Sequence, residues 1–193
     1  MGHVETILAI ITGIGLSAAC GFRVFVPLLF LNLASVYGYI NLTSGFEWIG
    51  SYYATITFAA ATVLEITAYY VPWLDNIMDA VASPVSVIAG TIAAASVITD
   101  MPPSLKWIIA IIAGGGIAGL LQGSTTILRG KSSLFTGGAG NAIVSTLELV
   151  GSVITSILAI ILPVIGFILV AILAVCLLMQ TARTLFRRIR TGS

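Results

Sequence analysis

Long apolar runs, punctuated by short polar stretches, make up almost the whole chain. The first run extends from about Val4 to Cys20, meets Gly21-Phe22-Arg23, and resumes from Val24 to Tyr39. Together the two exceed one membrane crossing of about 20 residues. They predict a helical hairpin broken near Gly21, whose first segment either spans or is re-entrant. Asn41, Thr43, Ser44, Gly45, Glu47 and Trp48 mark a loop. The next helix is expected over about Tyr52 to Val71, ended by Pro72, which cannot donate the following helical hydrogen bond. A short amphipathic stretch, Trp73 to Ser83, precedes a helix over about Pro84 to Ile98. Thr99-Asp100-Met101-Pro102-Pro103-Ser104 reads as a turn, and a fifth helix is expected from Leu105 to about Gln122. A polar linker with Arg129, Lys131 and Gly137-Gly138 follows. The last apolar stretch, about Asn141 to Thr181, is long enough for two crossings that turn at Pro163 and Gly166.

This pattern predicts an all-α fold, a polytopic transmembrane bundle of about six or seven helices in a single membrane domain. Composition agrees. Of 193 residues, 59% are hydrophobic and 8% charged, against roughly 25% charged in a soluble domain. A water-soluble fold of this size would have to present a polar exterior that the chain does not possess, whereas a bilayer accepts apolar side chains outward.

Four of the eight basic residues, Arg183, Arg187, Arg188 and Arg190, lie in the last eleven positions, directly after an apolar helix. A positive-inside anchor explains that placement, and it puts the C-terminus in the cytoplasm of a multi-pass protein of the cell inner membrane. Counting back, the Arg129–Lys131 linker, the Asp75/Asp79 segment and Arg23 fall on the cytoplasmic side. The Glu47 loop and the Pro102-Pro103 turn fall outside. Nucleic acid is not an expected partner; membrane lipids are, together with further membrane subunits or copies of the chain.

Small residues recur every fourth position at Gly13, Ser17 and Gly21, and again at Gly115, Gly119 and Gly123. Such faces let another backbone approach closely. A glutamate follows each, Glu65 and then Glu148, as a degenerate duplication of halves 4–99 and 105–182 would produce.

Both glutamates lie inside apolar helices, where a charge costs ~2.5–3.5 kcal/mol at mid-membrane and so normally faces the protein interior or water. Thr55, Thr62, Glu65 and Tyr69 share one helical face, as do Asn141, Ser145, Glu148, Ser152 and Thr155. Two meanings remain open: coordination of an ion, proton or solute, and hydrogen bonding between helices with each glutamate neutral or paired to Arg23 or Arg129. Asp75 and Asp79 share a face of a short helix. With Mg²⁺ they would hold a phosphate headgroup; otherwise they form a solvated face or pair with Arg129 and Lys131.

Chemistry of other kinds has little to use. The one histidine, His3, is near the N-terminus, and Cys20 and Cys176 form no metal or redox spacing. Walker, nucleophile-elbow and zinc-protease patterns are missing from the sequence. No catalytic residue, metal or cofactor is therefore expected, and the chain is read as not an enzyme.

Three blocks occur in order along the chain: 16–29 (LSAACGFRVFVPLL), Leu64-Glu65 with 71–81 (VPWLDNIMDAV), and Gly140-Asn141 with 145–148 (STLE). They resemble the domain-of-unknown-function 4126 family. Members often carry an acid–base pair where this chain has Tyr69 and Tyr70, and an acid where it has Leu149. The resemblance implies a bacterial-type inner-membrane protein and implies no activity. The expected function is a small transporter or channel-like protein with a polar cavity lined by Glu65, Glu148, Asn141 and Ser145, with Arg23 as counter-charge. The alternative is a structural or accessory subunit of a larger membrane complex.

Overall fold

The computed structural model describes residues 2–71, 74–99, 101–136 and 140–191, with side chains described up to 179 except at 76. Pro72, Trp73, Asp100, the Gly137-Gly138 pair and the side chains of the four C-terminal arginines lie outside the described residues. Among the described residues there are seven helices and no strand. They are α1 (His3–Phe22), α2 (Phe25–Val36), α3 (Tyr52–Tyr69), α4 (Leu74–Val97), α5 (Pro103–Thr136), α6 (Asn141–Ile161) and α7 (Pro163–Thr191), with a 3₁₀ turn at Glu47–Gly50. Four spans, His3–Phe22, Ile77–Val97, Pro103–Thr136 and Asn141–Ile161, are long and apolar enough to cross a membrane. The chain is a helical membrane protein.

The expected break after Gly21 is present. Arg23 turns extended (φ −145°, ψ 134°), its N–H returning to Ala19 O at 3.1 Å. Pro27 then falls in the first turn of α2, where its missing N–H has no helical partner to lose. The break at the other end of the chain sits at Leu162 (φ −131°, ψ 63°), with Pro163 opening α7. Gly166 lies against Leu158, whose carbonyl carbon would be 3.0 Å from an added Cβ.

Two boundaries differ from expectation. The amphipathic stretch and the helix expected from Pro84 form one helix, α4, with Pro84 inside it. Proline removes one ladder bond, and nearby hydroxyls bond into the same turns, Ser83 to Asp79 O and Ser86 to Ser83 O, each at 3.0 Å. The expected linker at Arg129 and Lys131 is helical too, because α5 continues to Thr136. Its course widens into a π-turn at Ala110–Gly115.

Helix α1 is central and packs against α2, α4, α5, α6 and α7. Its small residues set those approaches one by one. An added Cβ at Gly13 would lie 3.1 Å from Ala94 Cα on α4, at Gly15 2.7 Å from Ala159 Cβ on α6, and at Gly21 2.6 Å from Ala118 O on α5. The Ser17 hydroxyl lies 2.6 Å from Gly90 O and 2.7 Å from Gly13 O and shares its one proton between them. Gly90 and Gly114 also meet here, an added Cβ at either lying about as close to the other's carbonyl, 3.1 and 3.0 Å. Gly115 and Gly119 press on Thr91 and Val87 of α4 as expected of that face, whereas nothing lies within 4 Å of a Cβ at Gly123.

The loop after α2 is tied to the end of α4. Thr43 donates its N–H to Ser96 O at 2.8 Å and its hydroxyl to Ala95 O at 3.0 Å, and Asn32 Nδ2 donates to Ile49 O at 2.5 Å. Phe46 packs on Trp107 at 6.2 Å between ring centroids, with Lys106 Nζ 5.6 Å from the Phe46 ring. The Glu47 loop and the Pro103 end of α5 therefore share one end of the bundle.

Candidate functional site

At the opposite end the hairpin break, the start of α4, the second half of α5 and the start of α6 converge on a charged cluster. Each polar side chain arrives there by helical spacing. Asn141, Ser145, Glu148, Ser152 and Thr155 all face inward, as their steps of three and four require. Glu65 and Tyr69 are the buried end of the α3 stripe, while Thr55 of the same stripe bonds Asn32 Oδ1 at 2.8 Å. Asp75 and Asp79 are one turn apart on α4 and both buried. A solvated acidic face is thereby overturned: these carboxylates point into protein.

Glu148 is the hub. Arg129 grips it with two nitrogens, Nε at 2.9 Å from Oε1 and Nη2 on Oε2. Arg23 Nη2 lies 3.6 Å from the same Oε2 and donates to Ser145 Oγ at 2.6 Å and Ser145 O at 2.9 Å. Planar guanidinium forks match carboxylates in this way. Arg129 Nε also stands 3.7 Å from Asp79 Oδ1. Both guanidinium carbons lie over the Tyr69 ring, at 3.9 Å for Arg23 and 4.0 Å for Arg129. Asn141 Nδ2 donates to Asp75 Oδ2 and to Ser133 Oγ, each at 2.8 Å.

Glu65 has a different task. Its oxygens accept the N–H groups of Val24 at 2.8 Å and Phe25 at 3.0 Å, the first free amides of α2. The two glutamates are thus not a facing pair of like function: Glu65 holds backbone and Glu148 holds arginines. The groove that reaches Glu65, about 450 Å³ between Phe25, Leu64, Ala68, Leu74 and Met78, is apolar.

All seven expected site residues, Arg23, Glu65, Asp75, Asp79, Asn141, Ser145 and Glu148, are brought into or directly beside this cluster. Two further members carry equal weight. Arg129, expected as a linker cation and as one possible partner of the carboxylates, is buried in step with Gln122 and Thr125 at spacings of three and four, a stripe that marks an inward face. Tyr69, expected as one position of a stripe, is the platform for both arginines.

A family model for a domain of unknown function, DUF4126, matches residues 10–183. The chain belongs to the DUF4126 family. No curated protein and no solved structure matches this DUF4126 chain. The blocks that carry its resemblance to the family contribute Arg23, Glu65, Asp75, Asp79, Asn141, Ser145 and Glu148, and Tyr69 and Arg129 join them from outside those blocks.

Proposed function

We propose that this DUF4126 protein is a small transporter or channel-like protein of the inner membrane, and that the cluster around Arg23, Asp79, Arg129 and Glu148 holds an ion or solute in passage. One observation carries the proposal. Six buried atoms of the cluster have no hydrogen-bond partner in the protein: Arg23 Nε and Nη1, Arg129 Nη1, Asp75 Oδ1, Asp79 Oδ1 and Asn141 Oδ1. Polar groups buried without partners are costly, and a network whose task is only to join helices gains by closing on itself. Ionisable residues within a membrane bundle are a functional site by default. Unpaired donors and acceptors side by side suit a passing polar species that supplies the missing partners.

The proposal includes an orientation. The basic tail faces the cytoplasm, and so does the cluster end of the bundle, by the positive-inside bias of short segments. It assigns no catalytic step to any residue. An accessory-subunit role is the competing reading. The glycine faces that suit such a role make their close contacts within this chain, at Ala94, Ala118, Ala159 and Val87, so partner subunits would have to dock elsewhere.

Reconstitution into proteoliposomes tests the proposal. Wild type should pass at least one small ion or polar solute above empty vesicles, and Asp79→Asn should lose that flux while eluting as a monodisperse protein. Wild type without flux for any species tried, together with a membrane protein that co-purifies stoichiometrically, would replace transport by the accessory role.

A further inference from the structure

The charges of the cluster do not balance. Arg23 and Arg129 bring two positive charges, and Glu65, Asp75, Asp79 and Glu148 bring four negative ones. All six residues are buried, at 1% to 8% exposure. Two surplus negative charges out of water are expensive unless protons or a bound cation neutralise them.

The contacts place that surplus. Glu148 is taken by both arginines. Glu65 is taken by the first amides of α2, where a helix carries partial positive charge. Asp79 has Arg129 at 3.7 Å from its Oδ1, a separation too long for a hydrogen bond. Asp75 is bonded by a neutral side-chain amide, that of Asn141. Three buried oxygens have no hydrogen-bond partner: Asp75 Oδ1, Asp79 Oδ1 and, from another helix, Asn141 Oδ1. Asp75 and Asp79 are four residues apart and so share a helix face, and Asn141 touches the first of them.

We propose that Asp75, Asp79 and Asn141 bind a hard divalent cation, Mg²⁺ or Ca²⁺. Two carboxylates and an amide carbonyl form the oxygen-only set that such ions select, with water completing the shell. A divalent ion offsets the net negative charge that remains. Arg129 is engaged by Glu148 through two nitrogens and reaches Asp79 only at 3.7 Å. Among the described residues no group of three His, Cys, Asp or Glu could hold a metal; the proposed set is two carboxylates with the Asn141 amide oxygen as the third protein ligand. The site is independent of transport: the ion is either cargo or a fixed part of the bundle.

Thermal unfolding of the purified full chain in detergent tests this, in EDTA and then with MgCl₂, CaCl₂, NaCl or choline chloride at matched ionic strength. Mg²⁺ or Ca²⁺ should raise Tm saturably, and choline should not. Asn141→Asp, which adds a third carboxylate, should lower the half-saturating concentration about tenfold, since affinity follows ligand charge. Asp75→Asn should lose the response, with a Tm in EDTA at or above wild type because one surplus charge is gone. A folded Asp75→Asn that keeps the full response, a saturable response to Na⁺ alone, or equal shifts with every salt would each overturn the site.

Discussion

Glu65 on α3 accepts the N–H of Val24 at 2.8 Å, so a carboxylate from one helix closes the start of another. The first amides of a helix lack internal partners and attract negative charge, and at the broken hairpin no local side chain caps them. Glu65→Ala is expected to cost about 1–2 kcal/mol, the range for a lost N-cap. Glu65→Gln keeps one acceptor oxygen and should cost less. Unfolding of both variants in detergent checks the order; equal losses would mean that charge, not acceptance, is what α2 needs.

Arg129 is the residue whose removal should be most damaging. It holds Glu148 at two points, approaches Asp79 and stacks on Tyr69. Arg129→Ala takes the two-point partner from Glu148 and the cation beside Asp79, a change worth about 3–5 kcal/mol. Arg129→Lys keeps the charge but loses the fork and the stacking, so it should recover only part of the loss. The double change Arg129→Met with Glu148→Met should be milder than the two single losses added together, because the direct pair is then removed as a unit. Full additivity in a double-mutant cycle would contradict the contact.

Glycines in the two small-residue faces should respond differently. An added methyl at Gly21 meets the Ala118 carbonyl at 2.6 Å, and backbone cannot step aside as a flexible side chain does. Gly21→Ala is expected to destabilise by about 1–3 kcal/mol. Gly123 has open space around it, so Gly123→Ala should be neutral or stabilising by up to about 1 kcal/mol, through lower backbone freedom in the unfolded chain. Thermal unfolding of the pair decides it, and a damaging Gly123→Ala would reveal a contact from outside the chain.

Periodicity made the inward direction of the α3 and α6 stripes legible, because steps of three and four leave a polar side chain only one face. Breaks were legible where glycine, proline or a charge interrupts an apolar run, as at Arg23 and Pro163. Polar residues misled where tertiary partners satisfy them. Arg129 reads as a linker cation with several possible partners, and which of them it meets, Glu148 and Asp79 on other helices, depends on the fold. Pro84 reads as a boundary, yet one missing ladder bond does not end α4. The site residues could be named one by one from their types, but Tyr69 as a platform for two arginines depends on a distance between α1, α3 and α5 that no spacing within one segment contains.

The two ends of the bundle predict a labelling pattern. The Thr43 loop is fastened to the end of α4 at Ser96, and Phe46 rests on Trp107 near the start of α5. Lys131 lies near the far end of α5, a helix of 34 residues, about 50 Å at 1.5 Å per residue and longer than the roughly 30 Å hydrocarbon core. Ser44 and Lys131 are both exposed, so single cysteines at these positions should react from opposite sides of the membrane. Cys176 is exposed and Cys20 is buried, so Cys176→Ser supplies the background. In sealed cells an impermeant maleimide should modify Ser44→Cys directly. Lys131→Cys should need permeabilised membranes under the proposed orientation, which follows the positive-inside bias. The reverse pattern would invert the orientation and leave the bundle intact, whereas labelling of both positions from one side would contradict the crossing of α5 itself.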